Sequence, residues 1–426
     1  MDRRSGARKS TTSSVKLRRH RPDYRMALYM GLLMMLGLIV MYAIGPQRAQ
    51  VLNAAYGSEY DGTYFFAKQA FSLAMAFGTF FVVSRIPISW WKANAKRLFI
   101  GGIIASIILA IGGWVGASFV QCSLGACRWF DLGPLGSIQP AEFLKFGLLL
   151  FGAAFLSYRA KQGIINDTYK TVLPFAGILG IVGIFVIWSQ QDMGTGLVML
   201  IMLSSMLMIS GIRLKVAAGL LAGLAAMGTL MILTAPHRIA RVVTFLQGDA
   251  AGVDDAGAYH IAHALIAIGS GGPTGVGIGN SVQATGYLPE AINDSVFAIM
   301  GETFGFVGLV LVLILFGALL LGLLKVASNL TNLHDKLIVV GVFGWLAAHV
   351  ILNVAAMTGV FPLTGITLPL LSFGGTSMVF IAGALGLAFQ LSSYTVHSTV
   401  SEGERYENSH GRRGLGRPRY AGRSRM

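Results

Sequence analysis

Charged residues are scarce in this chain of 426 residues. Asp, Glu, Lys and Arg together make up only 12% of the sequence, whereas 54% of it is hydrophobic and its mean hydropathy is +0.66. A soluble domain carries roughly 25% charged residues, so this composition excludes an ordinary soluble protein. It predicts an integral membrane protein with room for about ten membrane-spanning helices of roughly 20 residues each.

Acidic residues are the rarer of the two charges. The chain has 18 Asp and Glu against 33 Lys and Arg, and its formal net charge is +15. A basic excess can indicate nucleic-acid binding, but these basic residues lie in two tails and in short loops rather than along a groove. We therefore expect no nucleic acid among the partners. The arginines of the C-terminal tail can instead bind anionic lipid head groups, or this tail can be a solvated segment that only fixes the topology.

Cysteine is nearly absent, because Cys122 and Cys127 are the only two in the sequence. Their C-x4-C spacing has no partnering His or Cys, which excludes a zinc site of the usual kind. A disulfide and a pair of free thiols both fit the sequence, since the loop that holds them is expected outside the membrane. The sequence also lacks a G-x-S-x-G motif, a Walker loop, an H-E-x-x-H motif and a cleavable signal peptide.

Ten apolar runs follow one another along the chain. The first covers 26–44, and we expect Gly45-Pro46 to stop it. The others cover about 64–84, 98–120, 140–157, 171–188, 194–211, 216–235, 295–324, 337–358 and 378–396. The predicted fold is all-α and polytopic, with about ten transmembrane helices over 26–396 and a long structured extracytoplasmic loop at 236–294. The segments 1–25 and 397–426 are basic tails, and the second is expected to be disordered.

The distribution of basic residues sets the orientation. With a cytoplasmic N-terminus, 27 of the 33 Lys and Arg residues fall in the tails or in inner loops. The positive-inside rule favours this arrangement strongly over its inverse. Because the predicted number of spans is even, both termini are then cytoplasmic and the loop 236–294 is outside.

Three carboxylates, those of Glu290, Asp294 and Glu302, lie where a polar, glycine-rich segment turns into a long apolar helix. Removing a carboxylate from water at a membrane surface costs free energy, which marks these residues as candidate acids or bases. Asp294 also stands just before the helix predicted at 295–324, so its alternative role is to cap that helix.

Basic side chains that could bind an anionic ligand lie in other segments of the chain. Glu142 and Lys145 are three residues apart on one predicted helix and share a face, either as an internal ion pair or to meet a lipid phosphate. Arg128 precedes that helix in an outer loop. Arg238 and Arg241, spaced i and i+3, are basic on the outer side against the general bias, which favours a functional role.

The segment 269–280 is rich in glycine. Its backbone can form an anion nest, or it can be a tight re-entrant turn without a ligand. It does not fit the dinucleotide fingerprint G-x-G-x-x-G. Among other polar residues, Asp192 is best read as a helix cap, and His260 with His263 makes only a weak metal pair.

These stretches, taken in order, resemble the SEDS family of cell-division, elongation and sporulation proteins (FtsW, RodA and SpoVE). The blocks that carry the resemblance are Gly125-Ala-Cys-Arg-Trp-Phe130, Gln139-Pro-Ala-Glu-Phe-Leu-Lys145, Gln191-Asp-Met-Gly-Thr195, Ile268-Gly-Ser-Gly-Gly272, Gly277-Ile-Gly-Asn280, Tyr287-Leu-Pro-Glu-Ala291 with Asp294 and Gly301-Glu302, and Gly365-Ile-Thr-Leu-Pro369 with Ser372-Phe-Gly-Gly375. The chain departs from the family pattern at Ile292-Asn293, which replace His-Thr, and at Thr303, which replaces a second acid.

The resemblance implies a peptidoglycan glycosyltransferase that polymerises lipid II at the outer face of the cytoplasmic (inner) membrane, and it favours the division type. It implies Asp294 as the general base and undecaprenyl-pyrophosphate-linked glycan as the second substrate. Its implied partners are a class B penicillin-binding protein, other divisome proteins and membrane lipids. The expected substrate-binding residues are Arg238, Arg241, Arg128, Lys145, Glu142, Glu290, Gly271, Gly272, Gly277, Asn280, Gln283, Ser372, Gly374 and Gly375. No resident metal ligands are expected, and the only cofactor allowed for is a divalent cation, Mg²⁺ or Mn²⁺.

Other functions stay open at this stage. Intramembrane charges and many glycines also suit a lipid II flippase or another transporter. A non-catalytic scaffold for a penicillin-binding protein is a second alternative, and an elongation-type (RodA) role is the alternative to division.

Overall fold

The structure is a computed structural model that describes residues 21–123, 126–133, 136–233, 239, 243–246 and 256–394. Arg238, Arg241 and nearly all of the two predicted tails lie outside these described residues. Within them the helices are α1 (Tyr24–Tyr56), α2 (Tyr64–Arg85), α3 (Ile88–Val115), α4 (Pro140–Lys161), α5 (Thr168–Ser189), α6 (Met193–Ile209), α7 (Leu214–Leu233), α8 (Ala256–Ser270), α9 (Val296–Asn329), α10 (Leu333–Met357) and α11 (Gly375–Ser392).

The helical, polytopic architecture predicted from the apolar runs is confirmed. Eight of the described helices are long and apolar enough to cross a membrane; α6 is shorter, with 17 residues, and α7 has 20 residues. The count of ten spans and the extent of the outer loop therefore stay predictions. Within the region predicted as that loop, the short apolar stretch 261–268 lies in α8.

Helices α4 and α10 form the centre of the bundle. Of their most apolar stretches, 72% and 83% respectively are buried inside the protein, against 28% for α2, α3 and α9. A helix that is apolar on all sides is stable only when it is surrounded by protein or by lipid. Polar side chains inside these buried stretches, such as those of Lys145 and His349, are therefore enclosed by protein.

The predicted end of the first helix is wrong, because α1 passes through Pro46 and ends at Tyr56. Proline inside a helix removes a hydrogen bond and costs about 3 kcal/mol. Here α1 packs along α2 and α9, and Gly45 lies against Phe65 of α2, so tertiary packing outweighs that cost. The helix ends instead at Gly57, whose φ of 65° gives the left-handed conformation typical of a glycine cap.

The all-helical prediction also misses a small antiparallel sheet. It consists of β1 (Val120–Ser123), β2 (Ala126–Asp131) and β3 (Ser137–Ile138) in the order β1-β2-β3. Cys122 and Cys127 face each other across β1 and β2 and form a disulfide. Of the two possibilities that the sequence left open for these cysteines, the structure has the bonded one.

Helix α9 is broken at Gly305, whose φ of 66° and ψ of −167° are not helical. A turn of the glycine-rich segment enters the break and completes the backbone hydrogen bonding. The amide of Val276 donates to the carbonyl of Glu302 at 2.9 Å, and the amide of Phe306 donates to the carbonyl of Gly272 at 2.8 Å. The part of α9 before the break is thereby fixed at the end of the bundle where the candidate site lies.

Several helix ends meet at this one end of the bundle. The side chain of Gln139, just before α4, donates to Asp192, just before α6, at 2.9 Å. Thr376, in the first turn of α11, donates to the carbonyl of Ser137 in β3 at 2.6 Å. The starts of α4, α6 and α11 are thus held side by side.

Candidate active site

A buried ion pair lies in the first two turns of α4. Lys145 is 0% exposed and Glu142 is 3% exposed, and the Lys145 Nζ lies 2.8 Å from the Glu142 Oε1. The i, i+3 spacing on one helix brings the two side chains together, as the sequence predicts. The ammonium also lies over the ring of Trp345 in α10, 5.0 Å from the ring centre, which adds a cation–π contact.

His349 of α10 links this ion pair to the segment 363–374, which is part of the connection between α10 and α11. Its Nε2 lies 3.2 Å from the Lys145 Nζ, and its Nδ1 lies 3.1 Å from the carbonyl oxygen of Thr367. A carbonyl oxygen only accepts, so Nδ1 carries a proton. An ammonium only donates, so Nε2 accepts and the imidazole is neutral.

Asn353 lies one helical turn after His349 and therefore on the same face of α10. Its Nδ2 donates to the backbone carbonyl of Asp294 at 2.7 Å and to that of Ile366 at 2.8 Å. A single amide thus joins the segment before α9 to the segment 363–374. We call Glu142, Lys145, His349, Asn353 and Asp294 the polar network.

Asp294 is 9% exposed and lies beside Gly365 of the segment 363–374. A Cβ atom at Gly365 would stand 3.9 Å from the Asp294 Oδ2, and its φ of 70° favours glycine. The N-cap residue of α9 is Ser295 rather than Asp294. The alternative role of Asp294 as the cap of that helix therefore does not match the observed helix start.

The segment 363–374 is held in place by its own bonds. Ser372, one of the predicted binding residues, accepts the amide of Leu368 on its Oγ at 2.9 Å. The amide of Phe373 donates to the carbonyl of Ile292 at 2.8 Å, two residues before Asp294. Gly374 and Gly375 follow at the start of α11. Ser372 therefore shapes this segment.

Glu302, the third predicted carboxylate, holds the chain around residues 281–283. Its carboxylate accepts the hydroxyl of Ser281, the amide of Val282 at 2.9 Å and the amide of Gln283. The side chain of Gln283 in turn meets the Nδ1 of His263 at 2.7 Å. Glu302 and Gln283 therefore hold α9, α8 and this turn together.

Backbone amides of the glycine-rich segment donate hydrogen bonds to carbonyl oxygens of the protein itself. The amide of Gly275 donates to the carbonyl of Gly271 at 2.8 Å, and that of Gly277 donates to the carbonyl of Thr303 at 3.1 Å. Asn280 is exposed, and its amide donates to the carbonyl of Val276 at 3.0 Å. Since these donors have partners, the geometry favours the re-entrant turn over an anion nest.

Arg128 of β2 binds backbone carbonyls. Its Nε donates to Gln190 at 3.1 Å and its Nη2 donates to Gln191 at 2.9 Å. The next residue, Asp192, caps α6 by accepting the amide of Thr195 at 2.9 Å, as the sequence predicts. Arg128 therefore fixes the connection between α5 and α6.

The structure thus separates the predicted residues into groups. The Glu142–Lys145 pair and the backbone of Asp294 are both held to the segment 363–374, at the adjacent residues Thr367 and Ile366. Glu290, by contrast, is exposed and pairs with Asn293. Sequence analysis did not assign His349 a role. A histidine in the middle of an apolar run is an intramembrane ionisable residue, and that signal alone marks it as functional.

Two polar atoms of the polar network are open to a ligand. The Oε2 of Glu142 and the Oδ1 of Asn353 are buried and have no hydrogen-bond partner among the described residues. A buried acceptor without a partner costs about 1–3 kcal/mol, which a bound hydroxyl or cation would relieve. The arrangement offers a carboxylate for proton transfer and a buried ammonium for an anionic group.

The described residues hold no group of three or more His, Cys, Asp or Glu side chains that could ligate a metal ion. A divalent cation of the Mg²⁺ type is commonly held by one or two carboxylates together with substrate phosphates. The part of the chain that the structure describes therefore does not fit a dedicated metal centre.

A family model described as "Cell cycle protein" (FTSW_RODA_SPOVE) matches residues 24–397 of the chain. Stage V sporulation protein E of Bacillus subtilis is 32% identical over 378 residues, which cover 88% of this chain and 98% of that protein. A probable peptidoglycan glycosyltransferase FtsW of Nitrosomonas europaea is 32% identical over 369 residues, which cover 84% of this chain and 90% of that protein. A solved chain of a peptidoglycan synthase complex, described as coordinating polymerization and crosslinking, matches with a TM-score of 0.64 at 25% identity, covering 87% of this chain and 97% of that chain.

Proposed function

The chain belongs to the FtsW/RodA/SpoVE family of cell cycle proteins, and we propose that it is a peptidoglycan glycosyltransferase that polymerises lipid II at the outer face of the cytoplasmic membrane. Relatives named for this activity support the proposal. The single observation that carries it is the polar network, in which hydrogen bonds tie the buried Lys145 ammonium to Thr367 through His349, and tie the neighbouring Ile366 to the backbone of Asp294 through Asn353.

The proposed reaction joins two lipid-borne sugars. The 4-hydroxyl of an incoming lipid II attacks the anomeric carbon of the growing chain, and the bond from that carbon to undecaprenyl pyrophosphate breaks with inversion. The hydroxyl proton passes to a base, and the electron pair of the broken bond leaves with the pyrophosphate. Such a step needs a base at the acceptor and cations at the leaving group.

Asp294 is the base in this proposal. Its carboxylate is mostly buried but reaches the surface, at the end of the bundle where the starts of α4, α6 and α11 gather. The neighbouring Gly365 has no side chain to fill the space beside Oδ2. A sugar hydroxyl can therefore approach the carboxylate from that side.

Lys145 stabilises the leaving pyrophosphate in this proposal, and Glu142 holds the ammonium in place. A charge-assisted hydrogen bond in a site without water is about twice as strong as a neutral one. Arg238 and Arg241 are proposed as further phosphate ligands, and they lie outside the described residues. Arg128 contributes indirectly, because it fixes the connection before α6.

No step of this mechanism uses a metal ion. A divalent cation bound with the substrate would supply positive charge at the leaving group, and Asp294 is the residue that would provide it with a carboxylate oxygen. Adding EDTA and then Mg²⁺ or Mn²⁺ to the polymerisation assay decides whether the reaction needs such a cation.

For the cellular role we propose cell division, in partnership with a class B penicillin-binding protein. The support is the set of relatives named FtsW and the peptidoglycan synthase complex to which the fold is similar. Depleting the protein in its host separates the roles: filamentous cells indicate division, whereas round cells indicate elongation. The same proposal places both termini in the cytoplasm and the loop 236–294 outside.

The experiment that tests the activity uses purified full-length protein with its penicillin-binding partner and lipid II in detergent. We expect glycan polymer on a gel, and none when Asp294 is replaced by Asn. Absence of polymer from the wild-type pair, under conditions in which a control polymerase is active, would overturn the proposal.

A lipid II transporter is the second candidate, and the broken helix α9 is the observation in its favour, because discontinuous helices line many transport sites. The test is the movement of labelled lipid across a vesicle membrane. Transport without polymer supports the transporter, and polymer without transport supports the enzyme.

A further inference from the structure

His349 has no role of its own in the proposed reaction. It is 4% exposed, in the middle of the buried helix α10, and it bonds on one side to Lys145 and on the other to Thr367. A buried polar side chain with two satisfied bonds can serve packing alone, or it can orient one of its partners. The geometry around Lys145 distinguishes these roles.

The Lys145 ammonium has three protons to donate. One points to the Oε1 of Glu142 at 2.8 Å and a second points to the Nε2 of His349 at 3.2 Å. Two directions of a tetrahedral group fix the third, so these two acceptors determine where the remaining proton points. Trp345 lies beside the ammonium and limits its other positions.

Glu142 alone would not hold that orientation. Its second carboxylate oxygen, Oε2, is buried and has no partner among the described residues. Without the acceptor of His349, the ammonium can turn towards Oε2 and use two protons on one carboxylate. The remaining proton would then point elsewhere.

We infer that His349 is a positioning residue, whose neutral, Nδ1-protonated imidazole aims the Lys145 ammonium at the phosphate oxygens of the bound lipid substrate. Its bond to Thr367 fixes the tautomer, because the Nδ1 proton must face that carbonyl and Nε2 is left to accept. The same bond makes the orientation of the Lys145 ammonium depend on the segment 363–374, next to Asp294. This inference rests on the proposed glycosyltransferase activity.

Two substitutions separate the two bonds of the imidazole. The side-chain amide of Asn reaches about as far as Nδ1, and that of Gln reaches about as far as Nε2. His349→Asn can therefore keep a donor for Thr367 but loses the acceptor for Lys145. His349→Gln keeps an acceptor for Lys145 and loses the donor for Thr367.

We expect His349→Asn to lower the polymerisation rate at saturating lipid II by about ten- to hundredfold, because a hydrogen bond to a charged group is lost. His349→Gln should restore the rate to within about fivefold of wild type. The matched control is His334→Asn, the same substitution in the first turn of α10, where the imidazole meets Asp335 at 2.9 Å. It reports what a buried His-to-Asn change on this helix does to stability alone.

A double variant makes the test specific to Lys145. If His349 acts through the ammonium, Lys145→Met with His349→Asn polymerises no more slowly than Lys145→Met alone. Equal rates for the Gln and Asn variants, or a double variant slower than Lys145→Met by the full His349→Asn factor, would overturn the inference.

A spectroscopic measurement keeps the result independent of the proposed activity. In protein labelled with ¹⁵N-histidine, His349 should show a protonated Nδ1 and an Nε2 that accepts a hydrogen bond at neutral pH. Lys145→Met should shift the Nε2 signal and leave Nδ1 protonated. If this pattern is observed but no polymer forms, the proposed function fails while the geometry stands. A protonated Nε2 in the wild type would overturn the inference itself.

Discussion

The side chain of Asn353 donates to the backbone carbonyls of Asp294 and Ile366, at 2.7 and 2.8 Å. These two carbonyls belong to segments that are far apart in sequence, and one amide group holds both. Asn353 is 1% exposed, so water cannot replace its bonds. The position of the proposed base relative to the segment 363–374 therefore depends on this side chain.

Replacing Asn353 by Leu should remove both bonds and leave two buried carbonyls without a donor. Each unsatisfied group costs about 1–3 kcal/mol, so we expect a lower melting temperature and a large loss of polymerisation per folded molecule. The matched control is Gln390→Leu, which removes the bond from the Gln390 amide to the Ile86 carbonyl at 2.8 Å, at the opposite end of the bundle. Equal losses of activity per folded molecule in both variants would contradict a special role for Asn353.

Asp294→Asn should abolish polymerisation while leaving folding and partner binding intact. An amide cannot take the proton of the acceptor hydroxyl, and loss of a general base costs about 10² to 10⁴ in rate. The isosteric change preserves the backbone carbonyl that Asn353 holds. Thermal stability and co-purification with the penicillin-binding partner provide the controls, and near-normal polymer formation would transfer the role of base to Glu290.

Arg238→Ala and Arg241→Ala should each reduce lipid II polymerisation by about ten- to hundredfold, because a charge-assisted contact to phosphate is worth roughly 1.5–3 kcal/mol. Lysine at either position should restore only part of the rate, since the planar, bidentate group is lost. The rates are measured beside the melting temperature. Normal polymerisation rates in both alanine variants would show that neither arginine binds the substrate.

Gly271→Ala should prevent correct assembly of α8 against α9. A Cβ atom at Gly271 would overlap the carbonyl oxygen of Gly301, a backbone atom that cannot move aside easily. Gly269→Ala, two residues earlier and still in α8, meets nothing within 4 Å and serves as the control. We expect low yield or a lowered melting temperature only for Gly271→Ala. Equal stability of the two variants would contradict the close packing seen here.

The predicted topology places the C-terminus in the cytoplasm and residues 236–294 outside. A phosphatase reporter, which is active only outside the membrane, should be inactive when fused after Met426 and active when inserted near position 250. The reverse pattern would contradict the assigned orientation.

Much of the fold follows from the sequence, because spans in lipid must satisfy their backbone internally and therefore appear as apolar runs. The predicted runs at 140–157 and 337–358 match α4 and α10 closely. The end of α1 is mispredicted because local signals at Pro46 do not report its packing against α2 and α9. The small sheet is missed because its strands are too short to show a clear alternation.

The candidate site is predicted only in part, for a different physical reason. Glu142 and Lys145 pair within one helix, so their spacing is visible in the sequence. The bonds of His349 to Lys145 and of Asn353 to Asp294 join residues 204 and 59 positions apart, and only the packing of the helices brings them together. Arg128 and Glu302 carry the charges expected of ligand-binding groups, yet the structure gives them protein partners.

The break in α9 is bonded to a second stretch of chain, the turn at 272–277. The turn at 272–277 fills the gap at Gly305, and only four residues later Ser281 is bound by Glu302. The number of residues in this stretch is therefore fixed by two anchors on the same helix. An insertion or deletion of a single residue between 277 and 281 should be far less tolerated than longer changes upstream of α8. Natural variation in the length of the segment 236–294 is thus expected to concentrate before residue 256.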